Sequence, residues 1–404
     1  MFVLALACAP VEPPELPGPV PVHRGLQDPG IDSDALDALV TRSMAAEGIP
    51  GLSLALVDRG GVFWSSAYGW ADIDAGLENT PQTPFMLASV SKTVVGAALM
   101  AAAEDGLLDL DDPASTHLGF DLVNPLVGAG APPIRLSHLA AHAAGIRDEF
   151  STLEQDYVDG DTDVALEDFV RSYLVEGGSR YRRRANFYAW EAGESWSYSN
   201  VGATAAALAV QGARGAPFDA FCEDRLFEPL GMRDTHWFLR DFPDPDAIAR
   251  PHLWDGPRFE VREHYGYADW PDGQLRSTAE DLGAFVGMIA SGGVWEGERV
   301  LREDTVAEAL RPPVRGLPGP VVEGVVGFTE QDVFFMRYHL GDRVLVGHGG
   351  NDAGVATDIG IDEDSGVGFV LLCNTDEYQG EVVDTLHALE SALLDAGIAR
   401  GGGR

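Results

Sequence analysis

Basic residues are scarce in this sequence. Twenty-seven lysines and arginines stand against 64 aspartates and glutamates in 404 residues, a formal net charge of −37. A surface of that sign repels phosphate backbones and anionic headgroups, which argues against nucleic acid as a partner. The one basic island, "RYRRR" at Arg180 to Arg184, reads as a solvated loop with local counterions. Cysteine is also scarce, with three in all. Cys222 falls in an apparent helix, "FDAFCEDRLF", and Cys373 in an apparent strand, "VGFVLLCN", and they are expected as an unpaired buried pair rather than a disulfide. No apolar run approaches the ~20 residues that span a bilayer as a helix. The opening "MFVLALACAP" is far shorter and lacks the basic start of a secretory leader. Followed by the proline-rich "VEPPELPGPVPV", it reads as the tail of a bacterial lipoprotein signal, with Cys8 as the lipidated residue and a stiff spacer behind it. Residues 1–30 are therefore set apart as a signal-like segment and linker, and the protein is expected to be exported to the periplasm or cell envelope. Repeats and low-complexity tracts are absent beyond the spacer, and a hydrophobic content of 45% with 9% aromatics excludes a disordered chain.

Residues 31–400 remain. "IDSDALDALVTRSMAAEG" (31–48) carries Leu36, Leu39, Val40 and Met44 at the helical period, with Asp32 or Ser33 as cap and Gly48 as stop. "GLSLALVD" and "GVFWSSAYGW" around "DRGG" predict a hairpin. A helix headed by Ser89 is expected to run to Gly106. Residues 107–270 are irregular, with short helical patches and a buried helix over 201–215. "STAEDLGAFVGMIASGG" predicts a helix with a capping box of Ser277 and Glu280 and a stop at Gly292-Gly293. Strands are expected at "VVGFTEQ", "VFFMRYHL", "RVLVGHGG", "GVATDIGIDED" and "GVGFVLLCN", then a last helix, "EVVDTLHALESALLDAG". The fold class is α+β: an antiparallel sheet built from both chain ends (31–106 and 271–400) and flanked by helices, with a mostly helical lobe (107–270) inserted.

Three stretches carry chemistry. In "ASVSKTVVGAAL", Ser89 and Lys92 lie three apart on one helical face. A serine hydroxyl needs a base, and lysine serves only as the neutral amine. With an ordinary pKa of ~10.4, about one lysine in a few thousand is neutral at pH 7. Burial at the mouth of an apolar helix shifts that balance toward the amine, so Lys92 is expected to be stripped of its proton. In "SYSN", Tyr198 and Asn200 fall two apart, on one side of an extended backbone. A phenol can relay a proton, and a carboxamide can orient the lysine or hold a substrate amide. In "VLVGHGGNDAG", a strand reaches His348, Gly349, Gly350 and Asn351, where glycines admit a ligand close to the backbone. The N–H of Asn351 could join that of Ser89 as an oxyanion hole. Each signal is weak alone.

Together and in this order they resemble the serine β-lactamase and penicillin-binding-protein superfamily, whose S-x-x-K signature the first stretch carries. More narrowly the chain resembles the class C β-lactamase-related group, with its D-alanyl-D-alanine carboxypeptidases, esterases and D-aminopeptidases. "LFEPLGMRDTHW", "DGQLRSTAEDLGAF", "IRLSHLAAHAAGI" and the stretch from "GHGGNDAG" to "FVLLCN" extend the likeness over about residues 31–395. The resemblance implies a β-lactamase/transpeptidase-like fold and a serine hydrolase acting through an acyl-enzyme on an ester or amide of a small molecule or peptide. It makes Ser89 the nucleophile, Lys92 its proton acceptor and Tyr198 the second base or shuttle. Asn200 becomes a substrate and network donor, and His348-Gly349-Gly350 a wall of the site. No cofactor and no metal are implied. The alternative is a slow or inert cell-wall or β-lactam sensor on the same scaffold.

Two departures stand out. Many lactamases carry Lys-Thr-Gly where this chain has His348-Gly349-Gly350, and a mostly neutral imidazole holds a substrate carboxylate weakly. Carboxypeptidase or esterase chemistry is thus expected ahead of efficient penicillin hydrolysis. "AAHAAG" also lacks the hydroxyls usual in that loop. His138 and His142 are spaced like helical zinc ligands, but Leu139 stands where a zinc protease has glutamate, so they read as buried structural histidines.

Overall fold

The structure, a computed structural model, describes residues 13–255, 258–317, 328–376 and 382–401. Cys8 lies outside the described residues, as do the first three residues of "VVGFTEQ" and the first residue of the last predicted helix. Among the described residues, no helix is long and apolar enough to cross a membrane.

One antiparallel sheet organises the chain. Its N-terminal strands are β1 (Val22–Arg24), β2 (Gly51–Asp58), β3 (Gly61–Asp72) and β4 (Leu77–Glu78). The C-terminal part supplies β5 (Glu330–Gln331), β6 (Met336–Leu340), β7 (Arg343–Asp352), β8 (Val355–Asp362) and β9 (Gly368–Cys373). The order across the sheet is β1-β3-β2-β9-β8-β7-β6-β5, with β4 paired to β3. The two chain ends meet where β9 pairs with β2, Val370 opposite Ala55. The sheet from both termini is therefore as the sequence predicts.

Both faces of this sheet are covered. Leu52, Leu54 and Leu56 of β2 and Phe369, Leu371 and Cys373 of β9 pack with α1 (Ser33–Glu47) and the long C-terminal helix that starts at Val382. The alternate residues Ala55, Val57, Val370 and Leu372 join the larger core on the other face. That two-sided burial explains the unbroken apolar runs, since a period of two shows only where one face is wet. Each fully buried aliphatic side chain contributes about 1.5–3 kcal/mol. α1 is capped by Asp32, which accepts from Ala35 N, and ends at Gly48 in the left-handed region, both as predicted.

The larger core holds α2 (Ser91–Glu104), α3 (Asn200–Arg214) and α4 (Ala279–Ala290). α4 is capped one residue later than predicted. Thr278, not Ser277, accepts from Asp281 N, while Glu280 accepts from the Ser65 hydroxyl at 2.6 Å. "VFFMRYHL" forms a strand only from Met336, because Phe334 takes a positive φ of 56°. Cys222 and Cys373 are both buried and are not joined in a disulfide, as expected. Arg180 of the basic island pairs with Asp156, and Arg183 donates to Pro125 O.

α2 crosses the β5–β6 connection at Gly96, where a Cβ would fall 2.4 Å from Val333 O. Alanine is worth about 1 kcal/mol over glycine inside a free helix. Here the overlap with backbone, at about 1–3 kcal/mol, outweighs that gain. Gly96→Ala is expected to lower the urea midpoint by about 1–2 kcal/mol of stability; a stabilised variant would contradict this packing.

Candidate active site

Ser89 sits in a short 3-10 turn, Ala88–Val90, just ahead of α2 rather than inside it. The turn is tightly held. Leu87 N donates to Leu275 O (2.8 Å), and the Thr357 hydroxyl of β8 donates to Leu87 O (2.6 Å). Ala88 takes a φ of 46°, an unfavourable value for a residue with a Cβ, which the flanking bonds sustain. Gly350 of β7 lies against this turn. A Cβ there would stand 2.4 Å from Leu87 O and 3.0 Å from Ser89 N, so the strand can reach the serine only as glycine.

Lys92 projects back from the first turn of α2. Its Nζ donates to Ser89 Oγ at 3.0 Å and to Asp272 O at 2.7 Å, with the Asp272 carboxylate 4.0 Å away. The side chain is 0% exposed. It is also the only lysine of the chain, the other 26 basic residues being arginine. Nζ lies 5.0 Å from the centre of the Tyr198 ring. The phenol oxygen is buried without a hydrogen bond of ordinary geometry, close enough to Lys92 and Ser89 to be influenced by both.

The charge on Lys92 corrects the expectation from sequence. Burial does push its pKa down, but Tyr198, Asp272 and Asp148 together push it up by more, and the balance lies above the ordinary lysine value. That direction favours the ammonium over the amine. Tyr198 is held as the neutral phenol by its own burial, against the pull of Lys92. The dry setting alone therefore does not make Lys92 a resting base.

Tyr198 and Asn200 enter on the lead into α3. Ser199 caps that helix through Gly202 N. Beneath it lies Asp148, which accepts from the Ser199 hydroxyl (2.8 Å) and from Asn200 N and Val201 N (2.5 and 3.3 Å). A carboxylate at this position satisfies orphan N–H groups and complements the helix dipole. The Oδ1 of Asn200 and the Nδ2 of Asn351 are buried and have no hydrogen-bond partner among the described residues.

His348 and Gly350 face the serine from β7, while the side-chain position of Gly349 points to Asp358 on β8. Of the predicted wall, Gly349 thus offers only backbone. The Nδ1 of His348 hydrogen-bonds to Gly349 O, and Nε2 has no partner. Burial, with Lys92 adding to it, lowers the His348 pKa to about 3. His142 is also buried, at a φ of 53°, with its ring 4.5 Å from that of Tyr198 and its Nδ1 accepting from Ser199 N. It is a structural support for the tyrosine loop. His138 accepts from Arg135 N through Nδ1.

The serine opens into a cleft of about 400 Å³, whose lining includes Ser89, Asn200, Asn351 and Asp272. Asp272, Asp269 and Asp148 were not singled out from the sequence, and His142 was read there only as a buried structural histidine. Asp272 lies in "WPDG", which looks like any turn, and only its 180-residue separation from Lys92 in a hydrogen bond reveals it.

A two-sided covered antiparallel sheet with a Ser-x-x-Lys turn at its edge defines the β-lactamase/transpeptidase-like fold. Comparison with known families is direct: the Beta-lactamase family profile matches residues 36–393, and the chain belongs to that family. Similar solved structures include the octameric penicillin-binding protein homologue from Pyrococcus abyssi, with a TM-score of 0.70 and 21% identity over 90% of this chain and 78% of that one. Another is the D-amino acid amidase from Ochrobactrum anthropi SV3 complexed with L-phenylalanine amide, also at TM-score 0.70 and 21% identity, covering 90% of this chain and 99% of that one. Among sequences, Protein flp of Staphylococcus aureus (strain MW2) is 23% identical over 247 residues, 61% of this chain and 47% of that protein. Beta-lactamase-like protein 2 of Dictyostelium discoideum is 23% identical over 322 residues, 76% of this chain and 53% of that protein. The chain thus spans about half the length of these two relatives.

His348 gives a test of this electrostatic setting. Its folded pKa of about 3 is below the unfolded value of ~6.5, so the unfolded state takes up the proton first as pH falls. Its contribution is complete above pH ~6.5 and is lost on acidification toward pH ~3, on the order of 5 kcal/mol at most. Urea denaturation near pH 7 and pH 4 should show His348→Gln losing less stability than the native chain. Equal losses would mean that His348 is not held neutral.

Proposed function

We propose that the protein is a serine hydrolase that forms an acyl-enzyme on Ser89 with an ester or amide substrate. The observation that carries this reading is the 3.0 Å hydrogen bond from the buried Lys92 ammonium to Ser89 Oγ at the foot of an open cleft. Membership of the Beta-lactamase family and the likeness to a D-amino acid amidase support hydrolysis in general terms.

In this mechanism the Lys92–Tyr198 pair first sheds one proton. What remains, an amine beside a phenol or an ammonium beside a phenolate, can take the Ser89 proton. The alkoxide attacks the carbonyl, and backbone N–H groups of Ser89 and Asn351 hold the oxyanion. Tyr198 or Lys92 protonates the leaving amine or alcohol, and water then cleaves the acyl-enzyme. Asn200 orients the substrate. Lys92 also stabilises the alkoxide by charge, which a neutral lysine could not do. A β-lactam is a poor match, because neutral His348 offers no cation to a substrate carboxylate.

Intact-mass analysis after exposure to an activated ester and to a penicillin tests the reading. Ester turnover that falls at least about a thousandfold in Ser89→Ala is the expected result. A stable adduct on Ser89 without turnover would instead mark a sensor-like trap, and absence of any adduct would leave a scaffold only. Because the pair starts one proton too many, kcat/KM for a neutral ester should rise with pH above neutrality by up to about tenfold per unit. A flat profile from pH 6 to 9 would show a base already formed at rest.

A further inference from the structure

The walls of the cleft have a consistent chemistry that the acyl-transfer mechanism does not use. Five carboxylates line it: Glu154, Asp269, Asp272, Asp352 and Asp376. None of the described lining residues is lysine, arginine or histidine. Lys92 lies beneath the floor, committed to Ser89 and to Asp272. Arg276 is buried behind the wall and donates to Tyr265 O and Gln274 O. A second, independent feature has the same sense. Tyr157 and Tyr267 line the cleft with ring centres 4.8 Å apart, and the Tyr157 hydroxyl donates to Asp352 at 3.1 and 3.2 Å. Aromatic faces beside carboxylates favour an organic cation and repel an anion. Asn200 adds a buried amide oxygen without a partner, an acceptor for N–H. Across the opening, Phe150 and Leu153 are apolar, and Phe150 is 60% exposed.

We propose that the acyl group delivered to Ser89 carries a free ammonium, as an amino-acid ester or amide does, and that the acidic wall around Asp352 and Glu154 holds it. This rests on the serine hydrolase reading. Acyl groups that carry a carboxylate instead of the ammonium, as an N-succinyl amino acid does, meet repulsion in the same place. A divalent cation is a poorer match, because no three of the described acidic, histidine or cysteine side chains converge as metal ligands. Burial raises the pKa of Asp352, and burial with repulsion from Asp148 and Asp352 raises that of Asp272 to about 7, so a bound cation would favour the charged form of each. The chemistry is unchanged by the ammonium. The Ser89 Oγ–C bond forms as the C–O or C–N bond breaks, and the Oγ proton goes to the leaving group. Water then supplies the oxygen that replaces Oγ and returns a proton to it. An apolar side chain on such a donor would lie toward Phe150 and Leu153.

The test uses phenylalanine methyl esters of both configurations, each with a free amine, an N-acetyl cap or an N-succinyl cap. At pH 6.5, below the ordinary α-amino pKa of ~7.7–8.0, the amine is protonated. The free-amine ester is expected to exceed the N-acetyl ester in kcat/KM by at least about tenfold, with the N-succinyl ester slowest. Asp352→Asn and Glu154→Gln, the latter at an exposed position, should each reduce the amine-to-acetyl ratio several-fold. Ser89-dependent hydrolysis of the N-acetyl ester at an equal or higher rate would overturn the proposal and leave the hydrolase reading standing. A preference for amine that survives both substitutions would also overturn it, by assigning recognition to another wall. If no ester is hydrolysed and none labels Ser89, the hydrolase reading fails and this inference with it.

Discussion

The site depends on one buried cation. Lys92 is fully enclosed, donates to Ser89 Oγ and Asp272 O, and is the sole lysine in the chain. Taking an ammonium out of water costs several kcal/mol even after relaxation, so the fold must surround it with compensating groups. It does so from distant segments: the Asp272 carbonyl and carboxylate, the Tyr198 phenol, and Asp148 under the start of α3. Two features of the scaffold follow. The turn carrying the serine is fixed to β8 through Thr357, and β7 meets it through a glycine because no side chain fits there. Arginine, broad and rigid, could not take the same place in α2.

The same compensation decides the protonation state. The groups that make burial of Lys92 tolerable, Tyr198 first and then Asp272 and Asp148, also favour its proton, so the base for Ser89 exists only after the Lys92–Tyr198 pair loses one. Meanwhile His348 and His142, both neighbours of the Tyr198 ring, are driven toward the neutral form by burial and by Lys92. Positive charge is thereby confined to one point below the serine. Above it the walls of the cleft are acidic and aromatic. An electrostatic gradient of this kind places a cationic part of a ligand away from the nucleophile and its carbonyl beside it.

Local signals in the sequence were legible where chemistry is local. Asp32 and Gly48 bound α1 as read, and Ser89 and Lys92 share a face as three-residue spacing requires. The pairing of β9 with β2 followed from strands at both ends of the chain. The failures have physical reasons. The cap of α4 moved to Thr278 because Glu280 was recruited by Ser65, 215 residues away, instead of closing a capping box. Phe334 left the predicted strand because its left-handed backbone seats the ring in the core. Asp272 and Asp148 were missed because an aspartate in a turn or loop has no periodicity to mark it, and each acts on a partner about 50–180 residues away. For the same reason the direction of the shift at Lys92 differs from the expectation: desolvation can be inferred from an apolar helix, but the opposing Tyr198, Asp272 and Asp148 cannot.

The most direct test of the central claim is the protonation state of Lys92 itself. Because the chain contains one lysine, protein labelled with ¹⁵N at the lysine side chain gives a single Nζ resonance. The account predicts the shift and the three attached protons of an ammonium in the resting enzyme at pH 7. An amine signal at that pH would contradict it, since Lys92 would then be a base formed by burial alone.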